Sequence, residues 1–277
     1  MSERIIGRGG YLAYAWALMR RDRGWLKPLL ILTLLGFVPV FGQLVALGFG
    51  LEWARLVSWG ADGAPKQRGV RVLECLKSGW RGFVVIFVWS FVVGIAVTIL
   101  TTIAYYVGEG FGDAVGWVLE VVSLLAGVLA LAAAVRAAIY QSISAGLGVT
   151  HVLQMARRDP KGVLRLVGVQ LALSAIAIII VLALLVAAVA AAVPLLGETG
   201  QALSSLSIGP EGWMAPDLPA AFLASAFVVT VFVVLLLSTI TSLLALCATG
   251  LWMRQFDVRS WGGPEDPLPA MEALVGA

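Results

Sequence analysis

Side chains able to act as acid, base, nucleophile or metal ligand are sparse and scattered in this sequence. His151 is the only histidine, and a zinc site or a His-based triad needs partners that no second histidine or cysteine cluster supplies. Packing at an aqueous boundary is its expected role. Cys75 falls in a polar loop and Cys247 near the end of an apolar run, an arrangement that argues against a disulfide framework. Glu52 and Arg55 stand three apart, so on a helix they share a face and can pair. With Trp53 and Trp59 beside them they read as an anchor at a membrane boundary; deep in a bundle, the same pair would be the best functional candidate, because charge there is costly. Glu120 reads as a hydrated group near the outer end of an apolar run, with proton coupling as the minority alternative. The hydroxyls of Ser238-Thr239-Ile240-Thr241-Ser242 are expected to bond back to their own or a neighbouring helix rather than to line a permeation path. The break from Gly36 to Gln43, which contains Pro39, must have its backbone satisfied by protein or water if it lies in lipid. The expected explanation is a shallow wedge or tight turn, with a pore loop as the alternative. Glu52, Arg55, Pro39 and Gln43 are therefore the functional candidates, and no catalytic, cofactor-binding or metal-ligating set is expected.

The elements that position these residues are membrane helices. Of the 277 residues, 60% are hydrophobic and 13% charged, and the mean hydropathy is +0.97, well beyond the makeup of soluble domains. Four runs are long enough to cross a bilayer: Phe83 to Val107, Val115 to Tyr140, Val163 to Leu196, and Ala220 to Met253. Before them, Tyr11 to Met19 fits an interfacial helix between arginines. Leu26 to Val57 is broken by Gly36, Pro39 and Gly42 into two arms of about 22 Å each if helical, either a re-entrant hairpin or two short spans. The segments expected are thus 1–25 interfacial, 26–57 hairpin, 58–82 a basic loop, and 83–140 a first helix pair. An interfacial stretch 141–162 follows, then a second pair 163–253 with an outer loop 197–219, and a tail 254–277. Met1 to Lys27 is expected to be retained, since the following run holds Pro39 and no small-residue cleavage pattern.

Lysine and arginine fall on one side of this threading. Arg4, Arg8, Arg20, Arg21, Arg23 and Lys27 precede the hairpin, and Lys66, Arg68, Arg71, Lys77 and Arg81 follow it. Arg157, Arg158, Lys161 and Arg165 lie between the helix pairs, and Arg254 and Arg259 follow the last run. The loops with Glu109 and Asp113, and with Glu198, Glu211 and Asp217, have none. The positive-inside rule then places both termini in the cytoplasm of a multi-pass cell-membrane protein. Arg55 and Arg136 are expected to snorkel to headgroups from their segment ends. Trp25, Trp59, Trp80, Trp117, Trp213 and Trp252 are expected near interfaces. Arg20-Arg21-Asp22 and Arg157-Arg158-Asp159 each lead into an apolar run, and separately Lys77-Ser78-Gly79-Trp80-Arg81 and Arg157 to Arg165 each introduce a helix pair, through either a parallel repeat or chance similarity.

Tyr11 to Trp25, the Phe37-Val38-Pro39-Val40 break, and Leu47-Gly48-Phe49-Gly50-Leu51-Glu52-Trp53-Ala54-Arg55 together resemble the bacterial and archaeal membrane family known as domain of unknown function 4013. The likeness covers the first third of the chain and is one of hydropathy beyond about Arg81. It implies a prokaryotic multi-span protein of uncharacterised activity and carries over no catalytic residues. Relatives with an acidic patch after the hairpin differ from this chain, which has Ala64-Pro65-Lys66-Gln67-Arg68.

The function expected is non-enzymatic action through lipid or protein partners, with anionic headgroups drawn to the cytoplasmic face. A small transporter or channel running beside the hairpin is the alternative, and a membrane-embedded enzyme the lesser one. Scattered basic residues without a dense stripe argue against nucleic acid.

Overall fold

The computed structural model describes residues 10–21, 24–60, 70–203 and 218–256, and among them every element is helical. In order these are α1 (Gly10–Arg20), α2 (Leu26–Leu35), α3 (Phe41–Ser58), α4 (Val72–Val107), α5 (Glu109–Ile139), α6 (Ile143–Leu147), α7 (Val149–Arg158), α8 (Pro160–Leu203) and α9 (Leu218–Met253), closed by a 3-10 turn at Arg254–Phe256. Helices α4, α5, α8 and α9 are long and apolar enough to cross a membrane, in agreement with the four expected spans.

The span boundaries differ from expectation at their charged ends. Helix α4 begins at Val72, so much of the expected 58–82 loop is helix and Cys75 is buried inside the fold. The reason is an inward face of Cys75, Ser78, Gly79, Gly82 and Val85, which packs on α3 and continues the helix past its last lipid-facing turn. Helix α5 starts at Glu109 directly after Gly108, leaving a single residue between the two helices. Helix α8 continues through 197–203, the start of the expected outer loop. Residues 204–217 of that loop with Glu211, Trp213 and Asp217, the loop cations Lys66 and Arg68, the N-terminal Arg4 and Arg8, Asp22 and Arg23, and Arg259 in the tail lie outside the described residues, and 218–219 already belong to α9.

The core is concentrated at one end. Helix α3 sits at its centre, against α4 on one side and α9 on the other. Gly48 and Gly79 make the α3–α4 crossing: a Cβ at Gly48 would lie 1.7 Å from the Cys75 carbonyl oxygen, and one at Gly79 would lie 1.9 Å from that of Leu44. Only hydrogen fits there, which is how small residues let helix backbones meet. On the other side Ala54 abuts Gly250, and the Ser58 hydroxyl donates to the Ala54 carbonyl at 2.7 Å and the Gly250 carbonyl at 3.2 Å. Buried side chains in α5 run from Val128 to Ile139, in α8 from Val163 to Leu173, and in α9 from Thr239 to Met253. Away from that end of α4, α5, α8 and α9, in the described part, large apolar side chains such as Ile99, Val118, Ile178 and Val228 are exposed.

Candidate functional site: the hairpin and its polar bracket

The hairpin arms are unequal. Helix α2 has 10 residues and α3 has 18, or roughly 15 and 27 Å against a hydrocarbon layer of about 30 Å. The turn between them is a γ-turn: Phe41 N–H donates to the Pro39 carbonyl at 2.7 Å, with Val40 at φ 64° and ψ −58°. A β-branched residue at positive φ is strained. The surrounding amides are satisfied within the hairpin, with Phe37 donating to Leu34, Val38 to Leu35, and Gly42 to Val38. The turn thus needs no water cavity to pair these amides.

Apolar side chains cover the tip. Leu30, Leu34, Phe37, Val38, Val40 and Phe41 are exposed, Val40 most of all at 71%. Pro39 and Gln43, both singled out in the sequence, are also exposed here. Neither is brought near Glu52 or Arg55, which lie about three to four turns down α3 from its start at Phe41.

Those two residues do pair. Arg55 Nη1 donates to Glu52 Oε2 at 3.2 Å, and Ser78 of α4 donates its hydroxyl to Glu52 Oε1. The side chains are 18% exposed for Arg55 and 32% for Glu52. Their arrangement is a tie between α3 and α4. Trp53, expected at an interface, is completely buried, because the face of α3 it occupies is enclosed by neighbouring helices.

Arg136 departs further from expectation. It is 1% exposed and does not snorkel. Its Nε donates to the Ala145 carbonyl at 2.9 Å, and its guanidinium lies 4.8 Å from the centre of the Tyr140 ring. The next carbonyl, that of Gly146, accepts from Trp89 Nε1 at 3.3 Å. The five-residue helix α6 is too short to satisfy its own carbonyls, so α4 and α5 supply donors. Arg81 reaches across to Gln141 in the same bend.

A second bracket closes the start of α8. Asp159 is the N-cap: its Oδ1 accepts from the Gly162 amide at 2.9 Å, with Pro160 in the first helical position. Its Oδ2 accepts from Gln255 Nε2 at 2.7 Å and Trp252 Nε1 at 3.2 Å. Trp252, expected at an interface, is instead fully buried, held by this bond. Partial burial opposes the charged carboxylate, but the donors from Gln255, Gly162 and Trp252, with the charge of Arg165, outweigh it and hold the pKa below the ordinary value. Burial pushes the Tyr11 phenol up, Asp159 adds to the shift, and Arg165 opposes it, so α1 belongs to the same cluster.

Sequence reasoning named Asp159 only within a basic motif, without its capping role, and misplaced Arg136. Asp-Pro-x-Gly is a helix-start signal that was present at residues 159–162. Arg136 within Ala132-Ala133-Ala134-Val135-Arg136-Ala137-Ala138 marked a charge in a helix of close approach. The hydroxyls of α9 behave as expected: Thr230, Thr239, Thr241 and Thr249 each bond to a carbonyl four residues back. His151 is partly exposed on α7, and Glu120 is exposed. No group of three or more potential metal ligands occurs among the described residues.

Four apolar spanning-length helices gathered at one end around a buried hairpin arm define an α-helical integral membrane protein. The chain belongs to the family of proteins of unknown function DUF4013, whose model matches residues 31–189. The match takes in the hairpin from within α2 onward, the first helix pair and part of α8, well beyond the first third; Tyr11 to Trp25 lies outside it. No curated protein and no solved structure matches the chain.

Proposed function

We propose that this protein acts without catalysis, as a prokaryotic cell-membrane component whose basic cytoplasmic face engages anionic lipid headgroups and protein partners while the hairpin inserts as a re-entrant wedge. The observation that carries this is the confinement of lysine and arginine, among the described residues, to one end of the helices. Arg20, Arg21, Lys27, Lys77, Arg157, Arg158, Lys161 and Arg165 are exposed at the core end, whereas Glu109, Asp113 and Glu120 are exposed towards the other end of the first pair. Between Arg81 and Arg136 there is no lysine or arginine. With the basic end inside, both termini are cytoplasmic.

Hairpin depth follows from neighbouring levels. Gly79 of α4 lies against Leu44, so Lys77 and Arg81, two positions to either side, are level with a point four residues past Val40, about 6 Å along α3. Helix α4 continues 26 positions from Arg81 to Val107, about 39 Å. The Gly36 end of the turn meets Leu235, 17 positions inside the Leu218 end of α9, about 25 Å from it. Both measures favour a wedge over a crossing.

A transport path beside the hairpin gains no support, since Gln43 is on the outside and the hydroxyls of α9 are bonded to their own helix. Purification of the full chain in native nanodiscs tests the proposal. Anionic lipid is expected to be enriched over bulk membrane, and the enrichment is expected to fall in Arg157→Gln/Arg158→Gln/Lys161→Gln. Neutral lipid composition around the wild-type protein would overturn it.

A further inference from the structure

We infer that the molecule is wider in its cytoplasmic leaflet than in its outer leaflet and therefore prefers membrane that bulges towards the cytoplasm; this rests on the orientation and hairpin depth proposed above. At the outer ends only α4, α5, α8 and α9 are present among the described elements. At the basic end three further segments share their level. Helix α2 turns exposed Leu30 and Leu34 outward, and the first turns of α3 carry exposed Phe41. The third is α6, whose Gly146 carbonyl meets Trp89. Trp89 lies eight positions beyond Arg81 on α4, about 12 Å into the apolar part of that helix. Each helix is 10–12 Å across, so three partial insertions add an area on the order of 250 Å² to one leaflet only.

Burial tells the same story. Past Val85 in α4, the only buried residue of that helix is Ala104, and before Val128 in α5 the only one is Gly112, both at the turn between the pair. The outer portions of α4 and α5 thus lie against each other as a pair, tied by the Tyr105 hydroxyl donating to Asp113 at 2.7 Å, and turn most of their large side chains to lipid, while the inner portions pack into a multi-helix core. The occupant of the exposed hairpin face is lipid of the cytoplasmic leaflet, since its apolar stripe is flanked by exposed Lys27 and Lys77, suited to headgroups. A one-sided insertion of this kind fills packing gaps in a convex leaflet.

Full-length protein carrying an N-terminal fluorophore, reconstituted in giant vesicles of phosphatidylcholine, is measured in membrane tubes pulled from them. Orientation is read with an impermeant quencher. Molecules with the basic end on the convex side are expected to be enriched in the tube by about twofold, and those with it on the concave side depleted. Val38→Asp/Val40→Asp changes only exposed tip residues and is expected to lose half or more of that enrichment. Equal tube and flat densities, the same preference in both orientations, or full enrichment in the tip variant would overturn the inference. Because phosphatidylcholine is zwitterionic, curvature sorting and anionic-lipid enrichment fail independently: loss of sorting with retained enrichment overturns this inference alone, and the reverse overturns only the headgroup proposal.

Discussion

At the basic end Gly48 and Gly79 bring two backbones into contact, Ala54 meets Gly250, and Trp53 and Trp252 are sealed from solvent. Towards the other end Gly94 and Gly116 face open space, and Trp117 is 74% exposed. The same residue types thus do different work in the two regions. Where helices meet, glycine permits the approach; where they face lipid, its absent side chain has no neighbour to accommodate. Burial among the described residues is therefore concentrated in the basic end, and the helix segments away from it turn large apolar side chains outward.

The largest expected effects contrast one glycine with another. Gly48→Leu forces a side chain into the Cys75 carbonyl and is expected to cost about 3 kcal/mol or abolish folding. At Gly94 an added Cβ meets nothing within 4 Å, and Gly94→Leu is expected to stay within about 0.5 kcal/mol of wild type. Thermal denaturation in one detergent, read on both variants, checks the pair; equal effects would erase the contrast between the ends.

Buried polar brackets come next. Arg136→Leu removes the donor to the Ala145 carbonyl and is expected to cost about 1–3 kcal/mol, whereas Glu120→Gln, exposed on the same helix, is expected to be silent. Denaturation midpoints of the two variants decide it. Asp159→Ala removes the cap of α8 and is expected to cost about 1 kcal/mol. Because the Asp159 pKa is lowered by folding, its stabilisation is complete above the ordinary carboxylate range and is lost as pH falls through the folded value. A midpoint-against-pH series is expected to show an acid limb in wild type that is shallower in Asp159→Asn. Smallest of all, Glu52→Gln weakens a partly buried ion pair but can keep the Ser78 bond; a loss under about 1 kcal/mol is expected in the same assay.

Much of this architecture was legible in the sequence. Spans α4, α5, α8 and α9 were visible as long apolar runs, because length and hydropathy are set by the bilayer rather than by neighbours. The broken hairpin was visible from Pro39, and the Glu52–Arg55 pair from its spacing. What escaped depended on which helix packs on which. Cys75 reads as loop until α3 is laid against it, and Arg136 and Trp252 read as interfacial until α6 and Asp159 are brought beside them. Tryptophan and arginine serve equally well at a headgroup boundary or in a satisfied interior, and spacing alone does not separate the two. The unequal arms of the hairpin were likewise hidden, since the strained Val40 turn sits at no residue that favours positive φ.

Depth of the hairpin tip tests the central claim most directly. Cys75 and Cys247 are buried, so Val40→Cys in intact cells offers a single exposed thiol. An impermeant maleimide added from outside is expected to leave it unlabelled, and after reaction with a membrane-permeant fluorescent maleimide, quenching by spin-labelled lipids in inverted vesicles is expected to place the fluorophore within the cytoplasmic leaflet. Labelling of Val40→Cys from the exterior would show that the hairpin crosses the membrane, and the one-sided wedge would be contradicted.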